Sequence, residues 1–491
     1  MDEQKTTKSV IDLSNTVPDL IPYLRPGEHV VSVETPVIVT PERTPDALSV
    51  LMQLTGAKTP DEIGENGPPN AATATEENKG VVHLNLFETL FGRDSLIVSS
   101  FLLNEFPKIS HATILALAAR QGTRTYMPSE EEPGKIMHED RDPNSSIAIE
   151  LHESHGWEFP YYGTVDATPL FVDLIAAYVA QEGRAILSET YTDRNETTRT
   201  VFHAFENALN WIQKNMGSNK EGLLEFCRKN PKGHPIQAWK DSSDSYFHHD
   251  GKFANIKKGI ASVEVQGYAY DALLCATELY ESLGGYEEQV TEFRRAAAQL
   301  KETVFSRMWI DDPRGGYFAL GTDRDDENNI HALRIRTSNM GHLLSSRLLD
   351  GNDPDIITKR EALVRMLTSK EMLAASGVRT LSCSEQRFRP GAYHNGSVWL
   401  WDSYYVSRGF RKHGFVKEAD DLVARLYNVI AKTHVYPEFA RGDDGPEPLL
   451  NTRIIDLWDE RQQRGNRIEQ PPQQIQAWTV AAYLAAMYEN A

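Results

Sequence analysis

Apolar positions recur every three or four residues in segment after segment of this chain, with polar residues between them. In 197–216, Val201, Phe205, Ala208 and Ile212 keep that spacing and Gly217 offers a stop; in 262–283, Val265, Tyr268, Ala272, Ala276, Leu279 and Leu283 do the same. The same period predicts helices over 94–105, 110–120, 166–182, 286–307, 330–349, 355–369, 394–412, 415–433 and 473–489, the last preceded by Pro471 and Pro472, where proline suits a helix start. Short links pair 262–283 with 286–307, 330–349 with 355–369, and 394–412 with 415–433. Repeated helix hairpins close into a ring or stack into an open solenoid. No sequence repeat at a period of about 33–47 residues is visible, which favours the ring. The long polar segments 122–165, 218–261, 308–329, 370–393 and 434–472 lie between hairpins, where a ring gathers them at one end around a cavity.

Residues 1–80 read differently and are expected to form an N-terminal extension to a domain spanning 81–491. "EHVVSVETPVIVTP" has β-branched runs ended by prolines, the signal of a strand or two, and "TPDEIGENGPPNAATATEENKG" reads as a loop. With 491 residues, 40% apolar and 25% charged, the chain has the composition of a globular protein. A formal net charge of −19 disfavours nucleic acid and anionic membrane as partners. Cys227, Cys275 and Cys383 are too few and too far apart for a disulfide framework. The opening "MDEQKTTKSV" lacks the apolar core of a secretory signal, and no run has the length of a membrane span, so a cytoplasmic location is expected.

Five stretches set turn residues beside charged and aromatic ones: "LFGRDSL", "PGKIMHE", "YYGTVDATPL", "QAWKDS" with "VEVQGYAYDA" behind it, and "GAYHNGSVWLWDS" followed by "YPEFARG". Glycoside hydrolysis needs two carboxyl groups, one to protonate the leaving oxygen and one to activate water or attack carbon. Planar polar side chains and aromatic faces suit a sugar's hydroxyls and its C–H surface. Helix capping and loop salt bridges account for each stretch taken singly; Asp94 and Asp166 both stand where a helix cap belongs. His248, His249 and Asp250 lack the further spaced ligand of a metal site, and no phosphate-binding glycine motif appears, so neither metal nor nucleotide cofactor is expected.

In order along the chain, "GRDSL", "PGKIMHE", "YYGTVDATPLFV", "WKDS", "VEVQGYAYDA" and "YHNGSVW" resemble the amylo-α-1,6-glucosidase domain of glycogen debranching enzymes and the related clan of inverting α-glucosidases that includes glucoamylase. The resemblance runs from about Leu86 to Ala491. It implies an all-α (α/α)6 barrel, a carbohydrate substrate and inversion at the anomeric carbon. By position, Asp241 resembles the general acid, with Asp244 the next candidate, and Glu438 in "YPEFARG" resembles the general base. Inversion requires their carboxyls to stand roughly 6.5–9.5 Å apart. Burial against Trp239 would raise the acid's pKa, provided Lys240 points away. Arg93 and Asp94 resemble the pair that holds the terminal sugar's hydroxyls, with Arg93 fixing Asp94. Tyr162, Trp239, Gln266, Tyr393, His394, Asn395, Trp399 and Trp401 are further sugar-binding positions by the same resemblance, and Glu139 and Asp166 weaker ones.

The chain departs from that family at Leu400-Trp401, where Pro-His is expected, and at Phe439-Ala440, where Leu-Phe is usual. Fewer residues precede the first motif than a sugar-binding or transferase unit needs. The reading is therefore an inverting exo-acting α-glycosidase releasing glucose from a glucan branch or a small α-glucoside. Hydrolysis of a small solute glucoside or mannoside, a sugar phosphorylase on the same barrel, and a non-catalytic helical scaffold are the alternatives. The motifs leave linkage, aglycone and oligomeric state open.

Overall fold

The computed structural model describes residues 16–75, 78, 87–444, 449–461 and 463–489. Thirteen α-helices occur among them: α1 (Ala47–Thr55), α2 (Gly92–Leu102), α3 (Pro107–Ala119), α4 (Ser146–His155), α5 (Ala167–Glu182), α6 (Val201–Met216), α7 (Val263–Leu283), α8 (Glu287–Arg307), α9 (Asn339–Ser345), α10 (Pro354–Leu367), α11 (Leu400–Lys412), α12 (Val416–Thr433) and α13 (Ala477–Glu489). All eleven predicted helices are present. The expected 330–349 is shorter than its period suggests, because Ile330–Ala332 pairs as a strand with Gly321–Arg324. Helices α1 and α4 were not predicted. Yet α1 carries a clear signature: Asp46 accepts from the Ser49 N–H at 2.8 Å, and Gly56 closes the helix in the left-handed region at φ 67°.

Six helices pack in a closed circuit, α2 on α5, α5 on α7, α7 on α9, α9 on α11, α11 on α13 and α13 back on α2. Each carries a second helix outside it: α3 on α2, α6 on α5, α8 on α7, α10 on α9, α12 on α11 and α1 on α13. The circuit needs close backbone approach at α9–α11. A Cβ at Gly341 would stand 2.6 Å from the Val406 side chain, and one at Gly409 would stand 2.7 Å from Leu344. The sixth pair joins the start of the chain to its end. Strand Glu28–Glu34 does the same, pairing antiparallel with Ile454–Asp459, which pairs in turn with Arg464–Glu469. The boundary expected at residue 80 falls outside the described residues.

The cavity sits where the inner helices begin. Four of them place a buried carboxylate at that end: Asp94 in α2, Asp166 at the cap position of α5, Glu264 in α7 and Asp402 in α11. Helix N-termini carry partial positive charge, which offsets part of the cost of burying these anions. The polar segments 122–165, 218–261, 370–393 and 434–472 reach this end, as expected. The segment 308–329 reaches it through Gly321–Arg324 but lines no part of the cavity. It folds instead into short strand pairs, Trp309–Ile310 on Tyr317–Phe318 and Gly321–Arg324 on Ala261–Ser262. Among the described residues no helix is long and apolar enough to cross a membrane.

Because α1 closes the outer layer on α13, truncating its fully buried Leu51 should be costly. Leu51→Ala is expected to lose about 2–5 kcal/mol in urea denaturation. Val37→Ala, at an 87% exposed position, should stay within about 0.5 kcal/mol of the parent.

Candidate active site

A cavity of about 470 Å³ opens at the helix starts, and its lining includes Arg93, Asp94, Glu139, Trp157, Trp239, Asp241, Ser242, Tyr393, His394, Trp399, Glu438, Gln476 and Trp478. Arg93, in the first turn of α2, is buried and donates from Nη1 to both oxygens of Asp166, at 3.0 and 3.3 Å, and from Nη2 to Asp241 Oδ2 at 3.0 Å. Asp166 was expected to cap α5. It stands at the cap position, but its side chain takes the Thr164 hydroxyl at 2.6 Å and Arg93, and caps no backbone N–H. Asp94 lies inside α2 and so is no cap. It accepts from Gln476 Nε2 at 3.3 Å, so Arg93 is spent on Asp166 and Asp241 and does not fix Asp94 by a hydrogen bond.

Asp241 faces the cavity, with 22% of its side chain accessible. Burial raises its pKa to about 6 against the opposing pull of Arg93. Glu438 is 2% exposed. Its Oε1 accepts from the Tyr393 hydroxyl, and its Oε2 from the Gln473 N–H at 3.0 Å. Burial lifts it to about 7, while those two donors favour its anion. Asp94 is likewise raised to about 7 by burial, with Arg93 opposing. Lys240 turns away, as expected, and donates to the Thr380 carbonyl at 2.9 Å. Asp244 is buried outside the cavity lining, and its carbonyl accepts from Asn395.

The walls are aromatic. Trp239 meets Trp399 and His394 edge-on at ring distances of 5.8 and 5.4 Å, and His394 stacks on Trp399 at 5.0 Å. Ser242 sets the histidine. Its backbone N–H donates to His394 Nδ1 at 3.2 Å, so Nδ1 is an acceptor. Burial and nearby cations hold the ring well below its usual pKa, so it is neutral and its proton sits on Nε2. That nitrogen is buried, has no protein partner, and belongs to a side chain lining the cavity, as a donor for a sugar oxygen would.

Four expected sugar contacts do not line the cavity. Tyr162 is in the main core, donating to the Arg120 carbonyl and accepting from Arg194 at 2.9 Å. Gln266 spends its amide on Leu224 and Ser262 backbone groups, each at 2.9 Å. Asn395 holds the Asp244 carbonyl at 3.0 Å. Trp401 stacks behind Trp478 at 4.9 Å and meets Trp239 edge-on at 5.2 Å, so it backs the wall instead of forming it. Conversely, Gln476, Trp478 and Trp157 were missed. The run "PPQQIQAW" reads as a helix start, but Ile475–Gln476 is a short strand paired with Ala72–Thr73 that turns Gln476 toward Asp94. His248, of the dismissed metal trio, pairs with Asp323 at 3.0 Å.

Residues 176–440, more than half of the chain, match the family model of the mannosylglycerate hydrolase MGH1-like glycoside hydrolase domain. The chain belongs to that glycoside hydrolase family. Its match is to this group and not specifically to the debranching amylo-α-1,6-glucosidase domain; the inverting glycosidase clan is the part of the resemblance that holds. No curated protein matches the chain. Among solved structures it is similar to the GH63 mannosylglycerate hydrolase from Thermus thermophilus in complex with Tris, with a TM-score of 0.56 at 13% identity, covering 90% of this chain and 99% of that one. A wild-type glycosidase gives a TM-score of 0.51 at 12% identity, covering 90% and 94%. At such identity the likeness concerns the fold.

Glu438 is raised above its unfolded value, so its contribution to stability is present at low pH and is lost as pH rises through about 7. Glu438→Gln keeps an acceptor for the Gln473 N–H and removes the buried charge. It should be more stable than the parent at pH 8, by on the order of 1–3 kcal/mol, and the gain should vanish toward pH 4. Urea denaturation at the two pH values measures this.

Proposed function

We propose that this chain is an inverting, exo-acting α-glycosidase on an (α/α)6 barrel, with Asp241 as general acid and Glu438 as general base. Its substrate is a small α-glucoside or α-mannoside whose aglycone carries a negative charge. The observation that carries the reading is a single cavity in which both carboxyls, each pushed toward neutrality by burial, lie among Trp239, Trp399 and Trp478. Its volume of about 470 Å³ suits one small ligand. Asp241 donates its proton to the glycosidic oxygen as the bond to the anomeric carbon breaks. Glu438 takes a proton from the water that attacks the opposite face, and the sugar leaves with inverted configuration. Asp94, Gln476 and His394 Nε2 hold sugar hydroxyls.

Two observations support the acidic aglycone. Lys232, which makes no ion pair among the described residues, lines the same cavity with Arg141 and Arg467, whose guanidinium groups are shared with Glu139 and Asp456, while burial keeps His138 and His234 neutral. The family is named for mannosylglycerate, a glycoside with a carboxylate on its aglycone. A glucan branch offers nothing for these cations to recognise.

In the free cavity burial raises both carboxyls, Asp241 to about 6 and Glu438 to about 7, so their surroundings alone do not set the acid apart from the base. A bound sugar displaces the remaining water from the accessible Asp241 and raises it further, while Tyr393 and Gln473 go on stabilising the Glu438 anion. The alkaline limb of kcat should therefore lie at higher pH than that of kcat/KM, which reports the free enzyme; coincident limbs would remove this account of the acid.

Asp241→Asn and Glu438→Gln should each lower kcat by about 10²–10⁴ with the fold kept. On a panel of glucosylglycerate, mannosylglycerate, glucosylglycerol, isomaltose, panose and limit dextrin, an acidic member should give the highest kcat/KM, by about tenfold over its neutral analogue. A preference for isomaltose or limit dextrin would return the enzyme to the debranching reading.

A further inference from the structure

Behind the stretch that carries Asp241 lies a second cavity, of about 330 Å³, lined by Lys135, Trp211, Lys214, Lys229, Gln237 and Glu132 among others. Its polar groups do not satisfy one another. Lys135 is 3% exposed; its nearest carboxylate is Glu132 at 3.8 Å, beyond hydrogen-bond distance, Glu130 acts on its charge more weakly, and the face of Trp211 lies at 5.6 Å. The Trp211 indole N–H, on a residue 4% exposed, is buried without a partner. Lys214, on the same helix as Trp211, and Lys229 add two exposed cations at the rim. Glu225, the other carboxylate in the lining, is already held by Arg324 at 2.8 Å. Three lysines and an indole N–H thus border a cavity in whose lining only Glu132 is weakly engaged, since Glu130, behind the lining, is already taken by the Lys229 and Asn230 N–H groups and the Gln237 amide.

A buried ammonium without close acceptors is costly. Both unsatisfied groups are donors, so the missing partner is an acceptor, and the surplus of lysines gives it negative charge. We infer that this cavity is a second ligand site, which takes a small oxyanion, a carboxylate or a phosphate, on Lys135 and Trp211. Burial works in the same direction by lowering the Lys135 pKa, a penalty that an anion would relieve. The site adjoins the catalytic one through Gln237. Its carbonyl accepts from the Val165 N–H at 2.7 Å and its side chain donates to Glu130 at 3.0 Å, so an anion here sits at the foot of the segment that ends in Asp241 and Ser242.

The test uses the full chain at pH 7 with the catalytic cavity saturated by deoxynojirimycin. Inorganic phosphate and D-glycerate are titrated separately by calorimetry, and thermal shift follows each anion. Saturable binding of at least one is expected, and the anion that binds tighter identifies its source. Lys135→Met and Trp211→Phe should each weaken it at least tenfold, and Lys214→Ala about threefold, with glycoside turnover in the absence of added anion within twofold of the parent. Trp211→Phe keeps the test decisive where Lys135→Met fails to fold. Absence of saturable binding to the parent, or undiminished binding by Trp211→Phe and any folded Lys135→Met, would overturn the inference and leave a cavity filled by water alone.

Discussion

The candidate active site depends on one buried guanidinium. Arg93 leaves the first turn of α2 and joins Asp166 at the start of α5 to Asp241 on the loop after residue 237. Around it stand Asp94, Asp241, Asp166 and, farther off, Glu438. Buried carboxylates this close would otherwise take up protons or drive the loops apart. Arg93 offsets their charge and fixes the direction of Asp241, and it does so from a helix whose own N-terminus favours anions. Asp241, the proposed acid, is thus oriented by an interaction that also opposes its protonation. The site resolves that conflict by burial, and in the proposed reaction by the arrival of substrate.

The surroundings of Glu438 are organised by a different device. Glu438 is clamped to Gln473 in both directions: its N–H donates to the Gln473 carbonyl at 2.9 Å, and its carboxylate accepts from the Gln473 N–H. This joins the segment after α12 to the segment before α13. Ser242 performs a smaller version of the same task, fixing which nitrogen of His394 carries the proton. Glu438 and His394 are therefore each held by a backbone N–H of another segment, whereas Asp241 is held by the Arg93 side chain.

Much of this was legible in the sequence. Period and spacing gave eleven helices and their pairing, because amphipathic hairpins bury one face whatever the chemistry at their ends. Asp241, Glu438, Trp239, Tyr393 and His394 were named from motifs, and the structure gathers them at one cavity. Helix α1 was overlooked although Asp46 and Gly56 mark its ends, since its partner is the last helix of the chain and short local windows carry no sign of that. Tyr162, Gln266, Asn395 and Trp401 show a different limit. A motif identifies a segment near the site, but which side of the turn each side chain takes depends on partners far away in sequence: Arg194 for Tyr162, Leu224 for Gln266, Asp244 for Asn395 and Trp478 for Trp401. Gln476 was missed for the same reason, as its role exists only through pairing with Ala72.

Leu400 and Trp401, the departure from the debranching pattern, make sense in this frame. Trp401 fills the space behind Trp239 and Trp478, so the change alters the backing of the sugar-facing wall and leaves the carboxyl pair untouched. The central claim is that Asp241 and Glu438 act from opposite faces of the sugar, with water between Glu438 and the anomeric carbon. Proton NMR of the sugar released in the first minutes, before mutarotation, tests it directly. The account predicts the β-anomer from an α-linked substrate, and release of the α-anomer first would contradict it.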